Sequence, residues 1–176
     1  AIRFFPAGYG NNALNDLALD YTIWENILLD LTRNHARFRK LSLSVSAPWE
    51  IYLPLLNGGY SPQQVWEIWH YRSTLTDPVY SSEHQTGDAS GIGDLNISSN
   101  GMVYPSVLMS GNQNVLCGNI RKDALQDIWY TSPVLKKIRE IRLSDIGAPC
   151  TKCQIRELCG GGSRARALSG TGKISG

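Results

Sequence analysis

Long apolar runs are missing from this sequence. None of its hydrophobic stretches approaches the roughly 18–20 residues that a helix needs to cross a bilayer, so no membrane partner is expected. Charge is also sparse: charged residues make up 18% of the chain and the formal net charge is +2. That is too little to hold nucleic acid by charge, and no nucleic-acid partner is expected. The opening "AIRFFPAGYG" has neither the basic n-region nor the long apolar core of a secretory signal. Four cysteines in 176 residues are too few for a disulfide framework, and three of them crowd into "CTKCQIRELC", Cys150 to Cys159. That crowding points to reduced thiols in a cytoplasmic setting rather than to secretion. The chain starts at Ala1 rather than at methionine and stops at "GTGKISG", so it reads as a fragment of a longer protein.

What is present is the composition of an ordinary folded chain, 42% hydrophobic, which argues against wholesale disorder. "AIRFFPA" reads as a buried strand that ends in the loop "GYGNN". "DLALDYTIWENILLDLTRN" spaces Leu19, Ile23, Trp24, Ile27, Leu28 and Leu31 as one face of a helix. "KLSLSVSAPWE" alternates Leu41, Leu43 and Val45 with serines and stops at Ala47-Pro48. Strand, helix, strand predicts a βαβ unit with a parallel sheet. Functional groups of such folds gather at the carboxyl ends of strands, here Pro6–Gly10 and Ala47–Glu50, including Gly8, Gly10 and Pro48. Ser61-Pro62 reads as an N-cap with proline at the first helical position, opening a helix over 62–73.

"STLTDPVYSSEHQTGDASGIG" is polar and rich in glycine and serine, and reads as a linker or mobile loop. It sets an expected boundary near residue 85, dividing the chain into 1–85 and 86–176. Beyond it, "DLNISSNGMVYPSVLMS" predicts a hairpin around Asn100-Gly101 with positive φ at both turn positions. "KDALQDIWY" and, after Ser132-Pro133, "VLKKIREIR" predict two short helices. The fold class is therefore α/β followed by a small α+β region with a cysteine knuckle. Leu125, Ile128 and Trp129 are expected in its core, and Trp66 and Trp69 in a core or interface.

C-x2-C places two sulfurs on one side of a tight turn, and Cys159 can swing back over the five residues that separate it from Cys153. The glycines of "CGGG" offer backbone N–H groups to sulfur without side chains in the way. Cys150, Cys153 and Cys159 are thus candidate ligands of one metal centre. Spacing alone leaves zinc and iron–sulfur both open. Cys117 is the one remaining thiol, either a further ligand or a buried structural cysteine. His35, His70 and His84 sit on or beside ordinary helices and a loop, and read as surface or satisfied histidines.

The ordered set "NGMVYPS", "CGNIRKDALQDIW", "SPVLKKIREIR", "CTKCQIRELCGGGSRARA" and "TGK" resembles the SPASM domain that follows the catalytic barrel of radical S-adenosylmethionine (SAM) enzymes. It is most similar to the subgroup that includes the alternative heme synthases and related maturases. The resemblance covers residues 91–174 and implies that the first half is the end of a partial (β/α) barrel. SPASM domains commonly carry two auxiliary [4Fe–4S] clusters. The resemblance implies that one is held by Cys150, Cys153 and Cys159, with a fourth ligand beyond Gly176. Ser106 and Ser163 stand where the other cluster would have cysteines, and "GDASGIG" has none, which implies that this cluster is missing. Lys173 replaces a usual aspartate. Arg164 and Arg166 would offset cluster charge or bind a substrate carboxylate; alternatively one pairs with Glu157 or Asp145. No C-x3-C-x2-C, the motif of the SAM-cleaving cluster, occurs in these residues. SAM and a second [4Fe–4S] cluster are therefore expected only in a parent enzyme. The expected function is the C-terminal portion of an iron–sulfur oxidoreductase acting on a peptide or tetrapyrrole-like substrate and reduced by a ferredoxin or flavodoxin. The alternative is a non-catalytic interaction module that binds zinc or iron–sulfur.

Overall fold

Two β-strands far apart in sequence meet in the first unit of the chain, which comprises Ala1–Gly8 and Asn12–Ser73. The computed structural model describes residues 2–4, 19–38, 40, 43–45, 51–69, 87 and 89–176. β1 (Ile2–Phe4) pairs in parallel with β2 (Leu43–Val45), with Ile2 opposite Leu43 and Phe4 opposite Val45. Parallel pairing needs a crossover, and α1 (Tyr21–Arg33) lies between the two strands in sequence. Among the described residues this sheet has two strands. Gly8, Gly10, Pro48, His70, His84 and the expected boundary near residue 85 lie outside the described residues.

α1 begins later than the periodicity suggested. Asp20 caps it, its Oδ1 accepting the Thr22 N–H at 2.8 Å, which leaves Leu19 ahead of the helix and exposed. An aspartate at this position satisfies an orphan N–H that a leucine could not. Leu28 and Thr32 form its buried edge. α2 (Tyr52–Asn57) follows, and α3 (Pro62–Trp69) opens on a reciprocal cap. The Gln64 N–H reaches the Ser61 hydroxyl at 3.2 Å while the Ser61 N–H reaches Gln64 Oε1 at 2.8 Å. Trp69 is buried, but Trp66 is 44% exposed, so the two tryptophans do not share one core role. Three positions apart on a helix is about 300° of rotation, enough to place them on different sides of a narrow buried stripe.

The second unit, Tyr9–Asn11 with Thr74–Gly176, is built on a three-stranded antiparallel sheet. Its strands are β3 (Asn96–Ile97), β4 (Met102–Tyr104) and β5 (Gly118–Asn119), with β4 in the middle. The hairpin differs from the expected two-residue turn. The Gly101 N–H bonds the Ser98 carbonyl at 2.8 Å and the Ser98 N–H bonds Met102 at 2.9 Å, so the connection has three residues. Gly101, at φ +87°, carries the positive φ that ends such a turn.

α4 (Leu125–Thr131) and α5 (Pro133–Glu140) follow as a helix pair, Pro133 opening the second as expected. Ile128 is buried and Trp129 half-buried, but Leu125 is 45% exposed, at the start of its helix rather than in the core. The core gathers Met109, Val115, Ile138, Ile141, Leu143, Ile146, Ala165 and Ile174, with Cys150 packed against its edge. The stretch read as a linker is tied into this unit at its end. The Gly91 N–H lies 2.9 Å from the Pro105 carbonyl, and the Gly87 N–H lies 3.1 Å from the Gly160 carbonyl. None of the described helices is long and apolar enough to cross a membrane.

Candidate metal centre

Each of the three crowded cysteines is set by a short backbone turn. Cys150 begins a single 3-10 turn, Cys150–Lys152, and the Cys153 N–H closes it on the Cys150 carbonyl at 3.1 Å. The Arg156 N–H then bonds the Cys153 carbonyl at 3.1 Å, leading into α6 (Arg156–Cys159), whose last residue is the third cysteine. Gly160 ends that helix in the left-handed conformation at φ +58°, its N–H bonding the Arg156 carbonyl at 2.8 Å. Gly161 and Gly162 continue at φ +75° and +67°. Three successive left-handed residues would be costly with side chains, which is the local reason for the glycine run.

The glycine loop is enclosed. A Cβ on Gly161 would collide with Ile146 Cδ1 and lie 2.9 Å from Arg164 Nη2; one on Gly87 would collide with the Cys159 carbonyl oxygen. After the loop, α7 (Arg164–Thr171) is capped by Ser163, whose hydroxyl accepts the Arg166 N–H at 3.4 Å. Ser163 thus has a structural role of its own. Ser106 is buried, and its hydroxyl makes no hydrogen bond among the described residues.

Cys159 is 8% exposed, while Cys150 and Cys153 are half-buried; all three are free thiols. Burial pushes the Cys159 thiol up from the ordinary 9.0 to about 11, and the charges of Cys150 and Cys153 add to the rise. A hydrogen bond from the Gly162 N–H and the Arg164 guanidinium act the other way. Cys159 therefore lies beside Cys150 and Cys153, with the Arg164 cation nearby. This donor set suits a thiolate-ligated centre. Among the described residues, no group of three or more histidine, cysteine, aspartate or glutamate side chains converges as a ready metal site.

Cys117 has different company. Its thiol donates to the Val115 carbonyl at 3.6 Å, and burial raises it to about 11 against the neighbouring Ser132 hydroxyl and Arg139 guanidinium. His35 is exposed, with Nδ1 2.8 Å from the Thr32 carbonyl. Arg164 is 1% exposed and spends its guanidinium on backbone: Nη1 on the Ile174 and Ser175 carbonyls, each at 3.1 Å, and Nη2 on those of Gly161 and Gly162. Arg166 is exposed on α7. Asp145 accepts the Arg142 N–H at 2.8 Å. Sequence reading did not foresee the carbonyl cage around Arg164 or the approach of Gly87 to Cys159. The "GDASGIG" glycines were the one available signal for the latter.

Part of the chain is similar to known proteins. Residues 90–154 match the SPASM family, described as an iron-sulfur cluster-binding domain. An AdoMet-dependent heme synthase of Methanosarcina barkeri is 35% identical over 86 residues, covering 49% of this chain and 23% of that protein. A pre-heme d1 synthase of Dinoroseobacter shibae is 32% identical over 87 residues, covering 49% of this chain and 20% of that protein. The matched segment is thus under a quarter of either relative. No solved structure matches the chain. Over residues 90–154 this chain is therefore similar to an iron-sulfur cluster-binding domain of the SPASM family.

Proposed function

We propose that this chain is the C-terminal portion of a radical SAM/SPASM oxidoreductase and that Cys150, Cys153 and Cys159 hold one auxiliary [4Fe–4S] cluster. The observation that supports this most is local geometry: a 3-10 turn at Cys150–Lys152 and the short helix ending at Cys159 carry the three cysteines within ten residues, followed by three glycines at positive φ. When bound, a cluster in such ligation supplies an electron to or from a substrate radical, or an open iron that binds substrate. The residues of the chain would hold it, screen it from water on the Cys159 side and donate to its sulfurs. The end of a partial barrel would lie in the first unit, a reading supported by the parallel pairing of β1 with β2 across α1.

The names of the two relatives favour a tetrapyrrole-like small molecule as the substrate class. Radical SAM chemistry in the parent would use SAM and a second [4Fe–4S] cluster, with a ferredoxin or flavodoxin as electron donor.

The test is anaerobic reconstitution of the full chain with iron and sulfide, beside a Cys150→Ser/Cys153→Ser/Cys159→Ser triple variant. Iron and acid-labile sulfide bound in near-equal amounts, with thiolate charge-transfer absorption that the triple variant loses, supports the reading. Uptake unaffected by the triple substitution overturns it. Zinc bound in preference to iron supports an interaction module instead.

A further inference from the structure

Arg164 has the address of a cluster-tuning cation and the contacts of a brace. Its guanidinium is buried and meets four backbone carbonyls, two from the glycine loop after Cys159 and two from the end of the described chain. A trans peptide points its C=O and the following N–H in opposite directions. The Gly161 carbonyl faces Arg164, so the N–H of the same peptide unit, that of Gly162, faces the other way. That N–H donates to the Cys159 carbonyl at 3.2 Å. Left-handed glycines have little conformational preference of their own. Contacts around the loop must choose their orientation, and Arg164 is the side chain that holds two of its carbonyls.

We propose that Arg164 is a positioning residue of the cysteine site: by gripping the Gly161 and Gly162 carbonyls together with those of Ile174 and Ser175, it holds the turn in which the Gly162 N–H closes on the Cys159 carbonyl and fastens the glycine loop to the 174–175 segment. The packing of Ile174 into the same core as Ile146 and Ala165 secures the far side of this grip. The role rests on the thiolate-site reading above and goes beyond it, because it assigns the cation to geometry rather than to charge. Lysine would keep the charge but cannot span four carbonyls as a planar five-donor fork can.

The experiment uses the full chain and cobalt(II) as the probe, with Arg164→Lys, Arg164→Gln and, as a control for lost charge, Lys136→Gln on the exposed side of α5. A positioning role predicts that both Arg164 variants raise the cobalt dissociation constant at least threefold and shift the sulfur-to-cobalt charge-transfer band. It also predicts that they speed hydrogen exchange of the Gly160 and Gly162 amides in the metal-free chain, while Lys136→Gln matches wild type. Wild-type behaviour of Arg164→Lys assigns the residue to charge and overturns the proposal, as do changes below threefold in both variants. Should both variants fail to fold, Ile174→Ala decides: faster exchange at Gly160 and Gly162 supports the coupling, and unchanged exchange overturns it. A wild-type chain that shows no thiolate–cobalt absorption sinks the cysteine-site reading, whereas the exchange data still judge Arg164.

Discussion

The Arg139 guanidinium lies 4.1 Å above the centre of the Trp129 ring and at the same time donates from Nη1 to the Trp129 carbonyl at 2.6 Å. Its Nε reaches back to the Gly91 carbonyl at 2.9 Å, so one side chain joins α4, α5 and the segment ahead of β3. Replacing Arg139 by Leu leaves two carbonyls short of a donor and removes the cation from the ring. Together these should cost about 2–4 kcal/mol, since bonds from a charged donor and a cation–π contact each contribute on the order of 1–2. Equilibrium urea unfolding measures it: the midpoint falls with the slope unchanged. A midpoint within experimental error of wild type would show that the contact is ornamental.

In the first unit, the Trp69 indole N–H donates to the Thr32 hydroxyl at 3.0 Å, and Thr32 in turn donates to the Leu28 carbonyl at 2.6 Å. Both residues are buried, so water cannot take over the bond. Thr32→Val keeps the shape and strands the indole donor, costing about 1–3 kcal/mol. Trp69→Phe removes the donor, so the double variant should be less damaged than the sum of the two. A double-mutant cycle by urea unfolding checks this; additivity within about 0.3 kcal/mol would refute the coupling.

How much of this was readable beforehand follows the range of each interaction. The Ser61–Gln64 cap, the Pro133 helix start and the Cys150–Cys153 turn are closed within three or four residues, and their signals sit in the sequence itself. Leu125 is exposed rather than in the core because helical periodicity reports a stripe but not what lies against it. The hairpin was foreseen through Gly101, whereas its three-residue connection depends on where Ser98 finds its partner. Arg164 was recognised as a cation near sulfur. Its carbonyl partners carry no side-chain identity, so no residue pattern announces them. Gly87 was dismissed with its polar neighbours for the same reason: its partner is the backbone of Cys159.

Substitutions of glycine by alanine should split in sign around the site. Gly161→Ala meets both a left-handed φ of +75° and the Ile146 side chain, for a cost of about 2 kcal/mol or more. Gly87→Ala would press on the Cys159 backbone, which cannot rotate away, and should lower both stability and metal uptake. Gly170 lies inside α7 with nothing within 4 Å of an added Cβ, so Gly170→Ala should stabilise by about 0.5 kcal/mol through helix propensity. Thermal melts of the three variants give the ordering. A stabilised Gly161→Ala would contradict the loop conformation.

Alkaline pH should weaken the metal-free fold through its buried thiols. Cys117 is raised from 9.0 to about 11 in the folded chain because burial favours the neutral form. Below pH 9 both folded and unfolded chains keep the proton, and the preference contributes nothing pH-dependent. Between about 9 and 11 the unfolded chain loses the proton while the folded chain retains it, so stability falls as pH rises. Tyr52, also raised by burial, adds a loss of the same sign. Comparing wild type with Cys117→Ala cancels the tyrosine contribution. The advantage of wild type over the variant in urea midpoint should be constant up to about pH 9 and shrink above it. An advantage that stays level or widens to pH 11 would mean that Cys117 ionises in the fold as readily as in the open chain.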